Sequence, residues 1–282
     1  MKAASPPMCW PAEAIWQTVE PLLPGFTVEV LPEIDSTNTE LMRRLKAGRP
    51  EPTLLVAEHQ SAGRGRLGRS WYSTQGDSLT FSLCLPLQPA DWSGLSLAVG
   101  ISLAESLDPA NAVGHRIGLK WPNDLWLCTP GLERKLAGIL VETASWEGLR
   151  HVVIGIGINI RSMTMADLAD SLQPALPTAV PPVGLQELLP GIDAAETLAR
   201  VVPPLARAVQ AFEQFGFAPL QSRFERRDVL ANRAVQLRDR QQLLQGSAHG
   251  VGDHGALRVL TDAGMKEITS AEVSVRPVGA PC

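Results

Sequence analysis

The sequence predicts an α+β fold: a mixed, mostly antiparallel sheet with flanking helices, followed by a small C-terminal β-barrel. Three observations predict it. Helical spacing of apolar residues marks two N-terminal segments, Trp92 to Leu107 and one long late segment, alternating and continuous apolar runs lie between them, and after Arg227 the texture changes to short strands separated by Gly and Asp.

Ala12 to Leu23 reads as a short amphipathic helix, and Thr27 to Leu31 alternates like a strand. Asp35-Ser36-Thr37-Asn38 opens a second helix. There Thr37 and Glu40 form a capping-box pattern, Leu41, Met42 and Leu45 supply the buried stripe, and Gly48 supplies the stop. Strands are expected at Thr53 to Glu58 and Ser78 to Leu85, and a helix at Trp92 to Leu107. Four strand-like runs follow, at Gly118 to Trp121, Asp124 to Cys128, Lys135 to Thr143 and His151 to Ile160, broken at Pro122-Asn123, Pro130-Gly131 and Glu147-Gly148. Met163 to Ile192, rich in Pro, Ala and Leu, reads as a long connection with short helices. Asp193 to Phe215 reads as a helix with Asp193 as N-cap and Gly216 as stop, and Pro203-Pro204 is expected to break or kink it. The last strands are expected at Ala234 to Leu237, Leu243 to Val251, Leu257 to Thr261, Glu267 to Ser270 and Val273 to Arg276. Residues 1–226 and 227–282 are thus expected to form two domains.

With 282 residues, 45% hydrophobic and 19% charged, the chain has the composition of a soluble globular protein with one large core. A net charge of -4 excludes a general electrostatic trap for nucleic acid. No export signal or membrane-spanning apolar run is evident. Cys9, Cys84, Cys128 and Cys282 are scattered without C-x-x-C spacing, which disfavours a zinc site or disulfide framework and fits a reducing cytoplasm.

The segment Gln60 to Trp71 packs Gly63, Arg64, Gly65, Arg66, Gly68, Arg69 and Trp71 into one loop, suited to holding a small anion. Its G-x-G-x-x-G spelling is not a dinucleotide fingerprint, because Ser70-Trp71-Tyr72-Ser73 follows where an apolar helix should begin. A solvated basic turn is the bland alternative. Lys120-Trp121-Pro122-Asn123-Asp124 puts a cation, an amide and a carboxylate at one sheet edge, with an ordinary Pro-Asn turn as an equal competitor. Lys135 to Glu142 begins with a charge and carries the small residues Ala137 and Gly138, leaving room above the strand. Gly155, Gly157 and Asn159 recur at period two, either as a ligand track or as a strand crossed closely by a helix.

In this order, from about Leu31 to Arg276, the segments resemble the biotin protein ligases. The resemblance implies a class II synthetase/lipoate-ligase-like catalytic domain with an SH3-like barrel. It further implies that ATP and biotin give biotinyl-AMP and pyrophosphate, with Mg²⁺ screening the phosphates, and that biotin then passes to a lysine of a biotin carboxyl carrier protein, an acetyl-CoA carboxylase subunit. By the same resemblance Ser36, Thr37, Asn38 and Gln60 line the biotin pocket, Gly63, Arg64, Gly65 and Arg66 close over it, and Gly138 and Gly155 make room for the rings and valeryl chain. Lys135 neutralises the carboxylate against the α-phosphate, Lys120 contacts phosphate, and Asp124 contacts metal or water; the acceptor lysine must also lose a proton before it attacks, and Asp124 is the nearest candidate in the sequence for favouring that. Arg66, Arg69, Trp71, Asn123, Gly157 and Asn159 are the adenylate-side candidates.

Some family members carry an N-terminal helix-turn-helix domain. Too little chain precedes the resemblance here for such a domain, so a monofunctional ligase without operator or membrane binding is expected, as monomer or homodimer. The Cys128 to Glu133 hairpin looks extended relative to the family. A lipoate protein ligase and a non-catalytic biotin- or nucleotide-binding regulator are the alternatives, and the arginine loop is expected to order when biotin arrives.

Overall fold

A computed structural model describes residues 8–109, 116–129, 132–162, 182–238, 243–269 and 274–277. The expected short helices between 163 and 181, the hairpin tip at Pro130-Gly131, and Ser270, Val273 and Cys282 lie outside the described residues.

The first sheet has seven strands in the order β1-β2-β3-β7-β6-β5-β4. They are β1 Thr27–Ile34, β2 Thr53–Gln60, β3 Ser78–Pro86, β4 Ile117–Lys120, β5 Asp124–Thr129, β6 Leu132–Trp146 and β7 Leu149–Asn159. Only β1 and β2 run parallel, joined across helix α2 (Thr37–Lys46), and every other neighbouring pair is antiparallel.

Alternation in the strands gives the sheet two different faces. Leu79, Phe81, Leu83 and Leu85 of β3 and Val152, Ile154, Ile156 and Ile158 of β7 join the main core, together with residues of α1 (Ala12–Val19), α3 (Leu95–Leu107) and α4 (Ala194–Phe215). Helix α3 is apolar on nearly every side because it lies between the sheet and α4. On the opposite face α2 covers only one end, burying Leu41 and Leu45 against Leu55, Cys84 and Val153. The rest of that face is left for a site.

Several elements differ from their expected form. Helix α1 ends at Val19, since Pro21 and Pro24 lead it into turns before Gly25. Helix α3 begins at Leu95, because Gly94 at φ 82 cannot continue a helix backwards. The N-cap of α2 is Ser36, whose hydroxyl accepts from Thr39 N–H at 3.4 Å, one residue before the expected cap. Thr37 is instead helical, its hydroxyl turned to Gln60. Helix α4 runs unbroken through Pro203 and Pro204. Its N-cap is Asp193, which accepts from Glu196 N–H at 2.8 Å.

Past the short helix α5 (Gln221–Glu225), residues 227–229 lie alongside β4, with Leu119 N–H donating to Arg227 O at 2.6 Å and Val229 N–H to Leu119 O at 3.1 Å. Buried Arg227 donates to Asp108 Oδ2 at 3.2 Å and to Ile117 O at 2.9 Å. The second sheet is antiparallel, order β11-β10-β9-β8-β12, comprising β8 Ala234–Arg238, β9 Leu243–Val251, β10 Leu257–Thr261, β11 Gly264–Ile268 and β12 Ser274–Pro277. Its Val235, Leu237, Ala248, Val251, Leu257 and Val259 continue the main core. Trp121, fully buried, donates from Nε1 to Gly255 O at 3.0 Å and so ties the Pro122 turn to the second sheet. Among the described residues no helix is long and apolar enough to cross a membrane.

Candidate active site

Strand register builds the site floor. One row across the sheet aligns Thr80, Gly157, Gly138, Asp124 and Lys120, and the next aligns Ser82, Gly155 and Leu140. The expected period-two track therefore exists, and two side chains occupy it. A Cβ on Gly155 would lie 2.1 Å from Asn38 Oδ1, and a Cβ on Gly157 would lie 2.3 Å from Trp71 Cε2. Glycine at 155 thus admits α2, and glycine at 157 admits the Trp71 indole.

Ser36, Thr37, Asn38 and Gln60 come together at the start of α2 and the end of β2. Gln60 Oε1 accepts from Thr37 N–H at 2.7 Å and from Thr37 Oγ1 at 3.1 Å. Ser82 Oγ lies 2.7 Å from Thr37 Oγ1 and 2.6 Å from Asn38 Oδ1, bridging them. Asn38 Nδ2 donates to Glu142 Oε2 at 2.9 Å. Ser36, Thr37, Asn38, Gln60 and Ser82 are all buried, a polar cluster of the kind that presents fixed donors and acceptors to a urea-like ring.

The Gly63 to Trp71 loop is a narrow hairpin lying over this floor. Trp71 N–H donates to Gly63 O at 2.8 Å and Gly65 N–H to Arg69 O at 2.7 Å, and the tip is a 3-10 turn, Arg66–Gly68. Leu67 at the tip has φ 57 and is half exposed. Arg64 reaches Glu142 Oε1 at 3.0 Å, and Arg66 donates to Asn123 Oδ1 at 3.2 Å. Burial holds the Arg66 guanidinium below its ordinary pKa and the Arg69 charge lowers it further, while Asp124 acts in the opposite sense.

Beneath the hairpin Lys135 Nζ stands 2.7 Å from Asp124 Oδ1 and 5.7 Å from the Trp71 ring centroid. The Trp71 Nε1–H is buried with no hydrogen-bond partner among the described residues. Asn123 Nδ2 donates to Ile139 O at 2.8 Å, fixing the turn to β6, and Asn159 Nδ2 donates to Lys135 O at 3.4 Å. Lys120 lies 5.1 Å from the Trp126 ring centroid, at the far end of the Gly157 row. The Arg69 side chain is exposed at the hairpin's edge. Cys84 and Cys128 are pushed up to about 12 and about 11 by burial, so neither is poised as a thiolate nucleophile.

Sequence reasoning assigned no role to Ser73, Ser82 or Glu142. Ser73 Oγ accepts from Gln60 N–H at 2.7 Å. The alternation Ser78-Leu79-Thr80-Phe81-Ser82 was the available signal for β3, since hydroxyls at every second position mark a polar face.

The model of the Biotin/lipoate A/B protein ligase family matches residues 30–159, and that of the Biotin protein ligase C terminal domain matches residues 231–276. The biotin–[acetyl-CoA-carboxylase] ligase of Paracoccus denitrificans is 32% identical over 250 residues, covering 86% of this chain and 98% of that protein. The chain belongs to the biotin protein ligase family. The bifunctional ligase/repressor BirA of Escherichia coli (strain K12) is 39% identical to this biotin protein ligase family member over 260 residues, covering 90% of this chain and 75% of BirA. Among solved structures, the biotin protein ligase from Aquifex aeolicus in complex with biotin and ATP superposes with TM-score 0.66 at 28% identity, covering 89% of this chain and 98% of that one.

Proposed function

We propose that this chain activates biotin with ATP to biotinyl-5'-AMP and transfers the biotinyl group to a lysine of a biotin carboxyl carrier protein of acetyl-CoA carboxylase. The observation that carries the reading is the Lys135–Asp124 pair, 2.7 Å apart, on a glycine floor beneath an arginine-bearing hairpin. In the first step a biotin carboxylate oxygen attacks the α-phosphorus, a C–O–P linkage forms, the α–β P–O bond breaks, and pyrophosphate leaves. Lys135 lowers the repulsion between the two anions, and Arg66 and Lys120 offer fixed charge to the phosphates. The buried cluster of Ser36, Thr37, Asn38 and Gln60 addresses the ureido group. Gly63 and Gly65 let the hairpin backbone approach, and Gly138 leaves space beside Lys135. Arg69, Trp71, Asn123, Gly157 and Asn159 serve the adenylate side.

In the second step the acceptor amine attacks the acyl carbon, AMP leaves, and the amine's proton passes to a nearby base. Asp124 is the carboxylate at hand. Asp124 is also the one protein oxygen we assign to Mg²⁺, which supplies charge neutralisation on the phosphates. Among the described residues no three His, Cys, Asp or Glu side chains converge on a metal site. That fits an ion held mainly by phosphate and water, as Mg²⁺ commonly is.

The same reading divides the chain into a catalytic domain, 1–226, and a C-terminal domain, 227–282. We place its action in the cytoplasm, where the free thiols of Cys9, Cys84 and Cys128 persist, and assign it no operator binding, in line with its net charge of -4. A lipoate ligase shares the adenylation logic, but the match at residues 231–276 is to a biotin protein ligase domain. Pyrophosphate release with biotin and not with lipoate, coupled to labelling of a carrier domain, tests the assignment. Lys135→Ala is expected to slow adenylation at least about a hundredfold while weakening biotin binding less than about tenfold. Equal losses in both would remove the electrostatic role assigned to Lys135.

A further inference from the structure

Glu142 lies on β6, four residues along the strand from Gly138, beside which the Lys135–Asp124 pair meets, and so about 13 Å from that pair. No reacting atom is placed near it, yet both its oxygens are engaged. Oε1 accepts from Arg64 Nη2 at 3.0 Å, while Oε2 accepts from Asn38 Nδ2 at 2.9 Å and lies 3.5 Å from Arg64 Nη1. Arg64 Nη1 also donates to Thr39 Oγ1 on α2 at 3.3 Å. From Asn38 the network continues through Ser82 and Thr37 to Gln60, the residue from which the hairpin departs.

Besides the Arg66–Asn123 bond near its tip, the hairpin is fastened at its root by Gln60 and at its arm by Arg64, and one carboxylate joins these two to the floor. Arg64 and Glu142 meet where the side chains are 48% and 23% exposed, so the pair can open to solvent without unfolding the floor. We infer that Glu142 is a positioning residue whose ion pair with Arg64 clasps the hairpin over the site and sets how long the acyl-adenylate stays enclosed. This rests on the biotin-ligase reading and adds to it a division of labour. Lys135 and Asp124 serve formation of the adenylate, and the Arg64–Glu142 clasp serves its retention. Opening the clasp breaks no bond of the substrate and changes no charge on it.

The test is a chase experiment on the full chain. Radiolabelled biotinyl-AMP is formed on the enzyme from biotin and ATP, and its release into excess unlabelled biotinyl-AMP is timed at low and high salt. Glu142→Gln keeps an acceptor for Asn38 and removes the charge, and it is expected to speed release about fivefold at low salt. Wild-type release is expected to accelerate with salt toward the variant rate, whereas the variant's rate stays nearly flat. Arg64→Gln, at a half-exposed position tolerant in folding, should give the same acceleration, and combining the two should add nothing further. The charge swap Arg64→Glu with Glu142→Arg should recover slow release. Wild-type release kinetics and salt response in both single variants, or additive effects in the double variant, would overturn the clasp. A wild-type protein that forms no biotinyl-AMP overturns the functional reading first, and the clasp with it.

Discussion

At the scale of single residues the site depends on atoms that are missing. A methyl group at Gly157 would meet the Trp71 indole at 2.3 Å, with the ring's Cζ2 and Nε1 also within 2.6 Å, so the ring must leave its seat. Gly157→Ala is therefore expected to destabilise the protein by about 1–3 kcal/mol, the usual range for overpacking. In a Trp71→Ala background the same change should cost almost nothing, because the clashing partner is gone. Urea titrations of the four proteins measure this, and equal costs in both backgrounds would show that Trp71 does not rest on Gly157. The glycine spacing was legible in the sequence. A helix crossing was one of its two readings, and α2 at Gly155 answers to it; the Trp71 indole over Gly157 and the identity of the helix were not legible, because Trp71 lies far along the chain from β7 and α2 reaches Gly155 only through the parallel β1–β2 crossover. Glu142 escaped assignment for the same reason: its partners Asn38 and Arg64 are set by strand order, which local patterns do not encode.

At the scale of elements, the longer strands and helices were legible in the sequence, whereas the short helix α5 had no expectation and β11 begins at Gly264, ahead of the expected Glu267; other misses cluster where local rules compete. Ser36 and Thr37 are both good caps, and the choice fell to Ser36 because the Thr37 hydroxyl has a buried partner in Gln60. Pro203-Pro204 ought to break a helix, yet α4 continues. The carbonyls that lose their partners belong to Ala199 and Arg200, half-buried and exposed respectively, where water can serve them. Leu198, Val201, Val202, Leu205, Ala206 and Val209 on the opposite side are all buried and hold both halves against α3 and the sheet. Tertiary packing thus overrides a local cost of about 3 kcal/mol for an interior proline. Replacing both prolines by alanine should raise the unfolding free energy by at least about 1 kcal/mol. An unchanged or lower urea midpoint would mean that the proline rings themselves are needed for packing.

For the whole molecule, the decisive region is the segment that leaves α5 and enters the second sheet. Arg227 there is neutralised by Asp108, but Asp228, one residue on, has no such partner among the described residues. Its Oδ1 accepts from Leu230 N–H at 2.8 Å, and its Oδ2 is inaccessible and unpaired among the described residues. Burial, opposed by that hydrogen bond and reinforced by the Glu225 charge, pushes this carboxyl from 3.8 up to about 6. The folded state therefore holds the proton more tightly than the unfolded chain does. Below about pH 4 the group is protonated in both states and its charge costs nothing; that relative stability is lost as pH rises from about 4 to about 6, and above that a constant penalty of about 3 kcal/mol remains. Asp228→Asn keeps the acceptor for Leu230 and removes the charge, at the cost of an unpaired amide N–H. At pH 7.5 the variant should be more stable by about 1 kcal/mol, and by pH 4 that advantage should be gone. The difference between the two proteins' stability-versus-pH curves isolates this group from the other carboxylates that titrate in the same range. Parallel curves from pH 4 to 7.5 would mean that Asp228 is already neutralised, and that the junction between the two sheets carries no unpaired buried charge.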